Sequence, residues 1–132
     1  MTSETRSAAI RSVIAQYCDA WRDKDRDAWL ATFGETATQE DPIGEGVRVG
    51  RDAIGAFWDR AHSSYDEIEI RQRGLHVVGD TAALEWTIIA RAGEERVVFD
   101  GVDVFTFDAA PTIMSVVAYW ERERQRRTTT RP

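Results

Sequence analysis

One aspartate, Asp103, stands in the middle of an apolar pattern typical of a β-strand that runs from 97 to 107. Alternate side chains of a strand share a face, so Asp103 falls in line with Phe99 and Phe105. A carboxyl group among aromatic rings loses its hydration, which raises its pKa and favours the neutral acid, a hydrogen-bond donor. Two other interpretations are open: the strand borders a solvated pocket, or an arginine pairs with the carboxylate.

Tyr17 and Asp41 are two further polar residues whose surroundings restrict them. Tyr17 lies in an apolar stripe at helical spacing that also contains Ile14 and Trp21, so its hydroxyl enters the interior and needs a partner there. On periodicity alone, a core tyrosine bonded to a carbonyl explains this position best. Asp41 precedes Pro42, which favours extended backbone at Asp41 and fixes the direction of its side chain, although this pair is also common in plain turns.

The composition is that of one folded domain. The chain has 132 residues, of which 42% are hydrophobic, and we expect a single domain over 1–132 with its core between residues 8 and 122. The net charge of −6 disfavours nucleic acid as a partner, and no apolar run is long enough for a membrane span. The single cysteine, Cys18, and the lack of an apolar leader favour a reducing, cytoplasmic location.

The C-terminal segment differs in charge from the rest of the chain. Residues 122–132 carry five Arg, one Glu and no hydrophobic residue. Such a composition is typical of a solvated chain end, so we predict a flexible basic tail over 123–132. Contact with an anion is the alternative interpretation.

Three helical patterns precede most of the strands. The first contains Tyr17 and breaks at 23–25, and a short second helix is expected to end at Gly34. The third begins after Gly50, and its polar positions, Arg60 among them, are typical of a solvated face. Its apolar face contains Ile54, Phe57, Trp58 and Ala61.

From Asp66 onward the hydrophobic pattern has period two. Turns at Gly79, Gly93 and 108–111 divide it into four strands, and a short strand at 35–40 lies between the second and third helices. The last strand is predicted to place four residues on one face: Met114, Val116, Ala118 and Trp120. Three helices followed by an antiparallel meander define an α+β domain in which the helices cover one face of a curved sheet.

Three motifs, in this order, resemble the ketosteroid isomerase branch of the NTF2-like superfamily. They are Tyr17 inside the first helix, Asp41 in Glu-Asp-Pro-Ile-Gly and Asp103 in Val-Asp-Val-Phe, and the resemblance extends over 8–122 with Ala-Tyr-Trp at 118–120. It implies a cone of three helices around a strongly curved, mostly antiparallel sheet, open at one end to an apolar pocket. It also implies a homodimer.

The resemblance assigns a role to each of the three polar residues. Asp41 would be the general base, and Tyr17 and Asp103 would donate hydrogen bonds to an oxyanion. The implied reaction is steroid Δ-isomerisation, in which a 3-oxo-Δ5-steroid becomes a conjugated ketone through a dienolate, without a cofactor. The walls of the pocket would be formed by Trp21, Phe57, Trp86, Ile88, Phe99 and Trp120, although core packing alone would also explain each of them.

Four positions depart from the family pattern. Trp58 stands where many members have a tyrosine that bonds the oxyanion tyrosine, and Phe33 lacks a hydroxyl, so the hydrogen-bond chain behind the oxyanion tyrosine is not expected. Gln39 precedes the base on the same side of its strand, where it could lower the pKa of the base or bind a polar group of the substrate. Gly101 is expected to widen the pocket beside the second donor.

Two other functions fit the same sequence. A SnoaL-like polyketide cyclase would also use an acidic residue in an apolar cone, and a non-catalytic module would use the acids to position a small apolar ligand. A metal site is not expected, because His62, His76 and Cys18 lack the spacing of metal ligands. The chain also lacks a Gly-rich phosphate loop and a nucleophile motif.

Overall fold

The computed structural model describes residues 2–129. Its three α-helices are α1 (Ser3–Asp23), α2 (Arg26–Leu30) and α3 (Arg51–Ser64), and a single 3-10 turn covers Arg122–Arg124. Thr2 caps α1 by accepting a hydrogen bond from the Thr5 N–H, and Asp25 caps α2 in the same way. The break predicted at 23–25 is confirmed, because Lys24 adopts the left-handed conformation that ends α1.

Seven strands form one mixed sheet. Their bounds are β1 (Phe33–Glu40), β2 (Val47–Val49), β3 (Glu67–Val78), β4 (Thr81–Ala92), β5 (Glu95–Phe107), β6 (Ile113–Tyr119) and β7 (Arg126–Thr129). The order is β2-β1-β6-β5-β4-β3, with β7 beside β5, and only β1 and β6 run parallel. The predicted α+β class, with helices packed on a mostly antiparallel sheet, is therefore confirmed.

The core lies between the helices and the inner face of the sheet. The α1 stripe predicted from helical spacing is buried, with Ile10 and Ile14 fully inaccessible and Tyr17 3% exposed. Strand β5 alternates as predicted, since Val97, Phe99, Asp103, Phe105 and Phe107 are all buried. No helix in the described part of the chain is long and apolar enough to cross a membrane.

The face predicted for the last strand is wrong at its first residue. Met114 is 53% exposed, whereas Ile113 and Val116 are buried. The reason is an irregularity in the pairing of β5 and β6, where Thr106 faces Ser115 but Phe107 faces Ile113. A bulge of this kind changes the parity of the strand, which period-two counting cannot anticipate.

The second helix ends earlier than Gly34, which lies in β1 instead. After Leu30 the chain turns, and the carbonyl of Thr32 accepts a hydrogen bond from the Ile113 N–H at 2.8 Å. Pairing with a strand distant in the sequence therefore decides where this helix stops. Strand β2, which the sequence analysis omitted, also exists only through its pairing with β1.

The structure differs from the expected flexible tail at residues 126–129. These residues form β7, which pairs antiparallel with the first part of β5 and places Arg127 against Glu95 at 2.6 Å. Strand β6 pairs only with the second half of β5, so the edge at 95–98 is free to accept another strand. Residues 130–132 of the predicted tail lie outside the described residues.

Candidate active site

Tyr17, Asp41 and Asp103 line one cavity of about 360 Å³ between the helices and the inner face of the sheet. Tyr17 comes from α1, Asp41 follows the end of β1, and Asp103 lies in the middle of β5. The three side chains are close enough for their charges to interact, because both carboxylates raise the pKa of the phenol. Residues separated by up to 86 positions are therefore brought to one site by the fold.

Asp103 is the most deeply placed acid in this cavity. It is 4% exposed, and its buried Oδ1 atom has no hydrogen-bond partner among the described residues. Burial raises its pKa well above the ordinary value, and the charge of Asp41 raises it further, while the Trp86 indole opposes the shift. Burial thus favours the protonated form of Asp103, and a protonated carboxyl group is a hydrogen-bond donor.

Tyr17 is the second buried donor. Its ring packs edge-on against Phe105 with centroids 5.2 Å apart and lies 5.7 Å from the Trp29 ring. Burial raises the pKa of its hydroxyl well above 10.0, and the charges of Asp103 and Asp41 add to this effect. The phenol thus stays protonated and is held in one orientation by aromatic packing.

Asp41 differs from Asp103 because it has hydrogen-bonding and charged neighbours. The indole N–H of Trp120 donates to Asp41 Oδ1 at 2.7 Å. Burial raises the pKa of Asp41, but this hydrogen bond and the positive charge of Arg48 both lower it. On balance the pKa of Asp41 is raised, but less strongly than that of Asp103, because Trp120 and Arg48 both favour its carboxylate form.

The walls of the cavity are aromatic and aliphatic. Trp86 meets Phe99 edge-on with centroids 5.6 Å apart, and Phe99 lies 4.8 Å from Trp120. All six residues predicted to form the walls line the cavity: Trp21, Phe57, Trp86, Ile88, Phe99 and Trp120. The arrangement suits a flat apolar ligand whose polar end reaches the buried donors.

The mouth of the cavity is charged. Its exposed lining residues include Glu45, Arg60 and Arg122, and Arg48 lies partly buried behind them. Arg122 pairs with Glu45 and lies over the Trp120 ring at 5.0 Å, whereas Arg48 lies over the Phe57 ring at 4.7 Å. The cavity therefore runs from a cationic opening to an apolar interior that ends at the two donors.

Comparison with known proteins identifies the family. The SnoaL-like domain matches residues 14–113, which is most of the chain. The chain belongs to the SnoaL-like family. The resemblance to the ketosteroid isomerase branch is also confirmed, since the chain is 32% identical over 114 residues to the steroid Delta-isomerase of Nocardioides simplex, covering 86% of this chain and 91% of that protein.

Two solved structures of other proteins have the same fold. The epoxide hydrolase/cyclase-like enzyme SalBIII, of pyran ring formation in the polyether salinomycin, superposes with a TM-score of 0.82 at 27% identity, over 95% of this chain and 98% of that one. The Δ5-3-ketosteroid isomerase of a Mycobacterium species superposes with a TM-score of 0.80 at 20% identity, over 89% of this chain and 96% of that one. The second likeness shows the fold alone.

Two expectations about departures from the SnoaL-like isomerase pattern are wrong. Gln39 does not reach the cavity, because it is fully buried in β1, where it pairs with Val116 of β6. Gly101 does not widen the pocket either. A Cβ there would lie 2.5 Å from the Trp86 ring, so the space is already filled by a wall residue of the cavity.

The cationic residues of this SnoaL-like cavity were missed by sequence reasoning. Arg60 was taken for part of a solvated helix face, although it follows Phe57 by three residues and so shares its side of α3. Arg48 lies in a strand too short to show a pattern. Among the described residues, no group of His, Cys, Asp or Glu side chains could hold a metal ion.

Proposed function

We propose that this SnoaL-like protein is a steroid Δ-isomerase that moves a C=C bond of a β,γ-unsaturated ketone into conjugation. The observation that carries the proposal is that two acids in one cavity have different surroundings. Asp103 is buried with one oxygen that has no hydrogen-bond partner within residues 2–129, while Asp41 accepts a hydrogen bond from Trp120. The identity to a steroid Delta-isomerase over most of the chain supports the same reaction.

In the proposed reaction the carbonyl oxygen of the substrate lies between the hydroxyl of Tyr17 and the neutral acid of Asp103. Asp41 removes a proton from the carbon between the carbonyl and the alkene, and the C–H electrons form the dienolate, whose charge develops on oxygen. Preorganised donors in an apolar site stabilise that charge more than the neutral ketone. Asp41 then returns the same proton to the far end of the dienolate, which yields the conjugated ketone without a cofactor.

The test is turnover of a 3-oxo-Δ5-steroid, followed by the absorbance of the conjugated ketone. We expect Asp41→Asn to lower kcat by at least about a thousandfold, because the amide cannot accept the proton. The affinity for a phenolic steroid, which resembles the dienolate, should survive the substitution. The matched control is Asp100→Asn, because Asp100 lies in the same strand as Asp103 but is exposed on the opposite face.

A polyketide or polyether cyclase is the second candidate function, favoured by the 27% identity to SalBIII over nearly the whole of both chains. Binding without turnover is the third. Failure of the wild-type protein to convert any β,γ-unsaturated ketone, with phenolic steroid affinity intact, would reject the isomerase. Turnover of a polyketide or polyether precursor would then identify the cyclase.

We also propose that the protein forms a homodimer through the outer face of β5 and β6. Val104, Met114 and Tyr119 are 37%, 53% and 51% exposed on this face. Val104 and Tyr119 belong to adjacent paired strands, so their side chains contribute to one apolar surface. The free, buried thiol of Cys18 supports placing the protein in a reducing, cytoplasmic compartment.

A further inference from the structure

Strand β2 has the reverse of the usual burial pattern, because its apolar side chains are exposed and its charged side chain is partly buried. Its two valines, Val47 and Val49, are 59% and 65% exposed, whereas Arg48 between them points inward and lines the cavity. An arginine is costly to remove from water, and a valine gains from burial, so the opposite orientation would be the more stable one. The orientation of this strand therefore puts a guanidinium into the cavity and leaves both valines exposed to solvent.

The guanidinium of Arg48 makes no salt bridge in the described part of the chain, although the charges of Asp41 and Glu45 act on it. Among the described residues its buried Nη1 atom has no hydrogen-bond partner, and its guanidinium lies over the Phe57 ring at 4.7 Å. Arg60, on α3, lines the same cavity, and within residues 2–129 its side chain makes no hydrogen bond or ion pair. The two arginines are near enough for their charges to repel each other.

The two acids nearest this pair are already engaged by other groups. Glu45 accepts hydrogen bonds from two guanidinium nitrogens of Arg122, and Asp41 accepts from Trp120. Within residues 2–129, a chain of net charge −6 thus presents two arginines without a salt bridge at the opening of its cavity. Positive charge of this kind in a low-dielectric cleft attracts anions and can bind a carboxylate through paired N–H donors.

We propose that Arg48 and Arg60 form a subsite for a carboxylate carried by the substrate at the end opposite its reacting ketone. This inference rests on the proposed isomerase function and narrows its substrate class to ketones with an acidic side chain. The ketone end must lie deep, because Tyr17 and Asp103 are 3% and 4% exposed, whereas Arg60 is exposed at the mouth. An elongated, flat substrate spans these two ends.

The test compares 3-oxoandrost-5-ene-17β-carboxylic acid with its methyl ester, which share the reacting ring and differ only in the charge at the far end. In the wild-type protein we expect kcat/KM to be about tenfold higher for the acid. Arg60→Gln and Arg48→Gln should each reduce the acid-to-ester ratio of kcat/KM about tenfold. Raising the salt concentration should reduce the ratio for the wild-type protein alone.

Arg71→Gln is the matched control, because Arg71 lies in β3 outside the cavity and its loss changes the net charge equally. It should leave the acid-to-ester ratio unchanged. A purely electrostatic effect of Arg48 on Asp41 would alter both substrates alike and leave the ratio intact. An unchanged ratio in both arginine variants, or a wild-type preference for the ester, would overturn the proposal.

Measurements of ligand binding test the anion subsite independently of the proposed isomerase function. Quenching of tryptophan fluorescence by estradiol and by estradiol 17β-hemisuccinate needs no turnover, and Trp86 and Trp120 line the cavity. Tighter binding of the hemisuccinate, lost in Arg60→Gln, would support the anion subsite even if no ketone is isomerised. Equal affinity for the two steroids would reject the subsite even if isomerisation is confirmed.

Discussion

At the scale of single residues, the proposed reaction requires two carboxyl groups with opposite protonation. Asp103 and Asp41 line the same cavity, yet the hydrogen bond from Trp120 and the charge of Arg48 act on Asp41 alone. Desolvation raises the pKa of both acids, but the two partners of Asp41 favour its ionised form and limit the rise there. A base and an acid of the same residue type can then function together at one pH.

Replacing Asp103 by Asn tests the proposal that the Asp103 carboxyl group is protonated. Because burial raises the pKa of Asp103, the wild-type protein has its full stability below the ordinary pKa of about 4 and loses stability as pH rises toward the raised value. Asp103→Asn removes this loss, so its free energy of unfolding should exceed that of the wild type by an amount that grows with pH, by about 1 kcal/mol per pH unit. Urea unfolding at pH 4 and pH 8 measures the difference.

The same substitution should change the pH profile of turnover. The amide still donates a hydrogen bond and does not ionise, so the fall in kcat/KM at high pH should disappear while the maximal rate drops about tenfold. Asp100→Asn, on the exposed face of the same strand, should alter neither the profile nor the pH dependence of stability. A stability gain independent of pH would contradict a protonated Asp103.

Trp120→Phe tests how far the hydrogen bond from Trp120 lowers the pKa of Asp41. The substitution removes the 2.7 Å hydrogen bond to Asp41 Oδ1 and retains an aromatic ring, so the pKa of Asp41 should rise. A base with a higher pKa is protonated at higher pH, so the acid limb of the kcat/KM profile should move upward. Trp58→Phe is the control, because Trp58 is buried outside the cavity lining; its acid limb should stay in place.

At the scale of elements, strands β4 and β5 position the cavity wall through close contact. Gly101 pairs with Trp86 across the two strands, and a Cβ at position 101 would lie 2.5 Å from the indole and 2.8 Å from the Tyr119 carbonyl oxygen. The carbonyl belongs to β6, so the glycine is confined on both sides. Because position 101 has no side chain, the Trp86 indole can occupy this space beside Asp103.

Gly101→Ala should therefore displace Trp86 and destabilise the protein by about 1–3 kcal/mol. The affinity for a phenolic steroid should fall with it, since Trp86 lines the cavity. Gly74→Ala is the control: its Cβ would meet chiefly the end of the flexible Glu85 side chain, which can move. Thermal unfolding and ligand titration measure both variants, and equal effects of the two would contradict the close-contact role of Gly101.

At the scale of the whole molecule, the proposed dimer accounts for the apolar outer face of the sheet. We expect Val104→Lys to convert the dimer to a monomer, because a charge at the centre of an apolar interface is left without water or a partner. Val78→Lys is the control, since Val78 is 73% exposed beside the β3–β4 turn. Light scattering during gel filtration measures the mass, and a wild-type monomer would reject the dimer.

Most of the fold follows from periodicity in the sequence. Helical spacing placed Tyr17 inward, and strand alternation placed Asp103 on the buried face of β5, because each pattern reports one element and its nearest neighbours. Periodicity failed where pairing between distant strands decided the outcome. The bulge that exposes Met114 and the strand at 126–129 are both properties of β5 and its neighbours.

The sequence alone therefore determined most of the buried positions within each element, and it placed Tyr17 and Asp103 inward before any relative was considered. The tertiary structure decided what surrounds those groups, since the indole that holds Asp41 comes from a residue 79 positions away. It also decided that Arg48 and Arg60 line the cavity mouth, because their positions depend on how β2 and α3 pack around the cavity. Local patterns specify the direction of a side chain, whereas its protonation depends on partners that only the folded chain brings together.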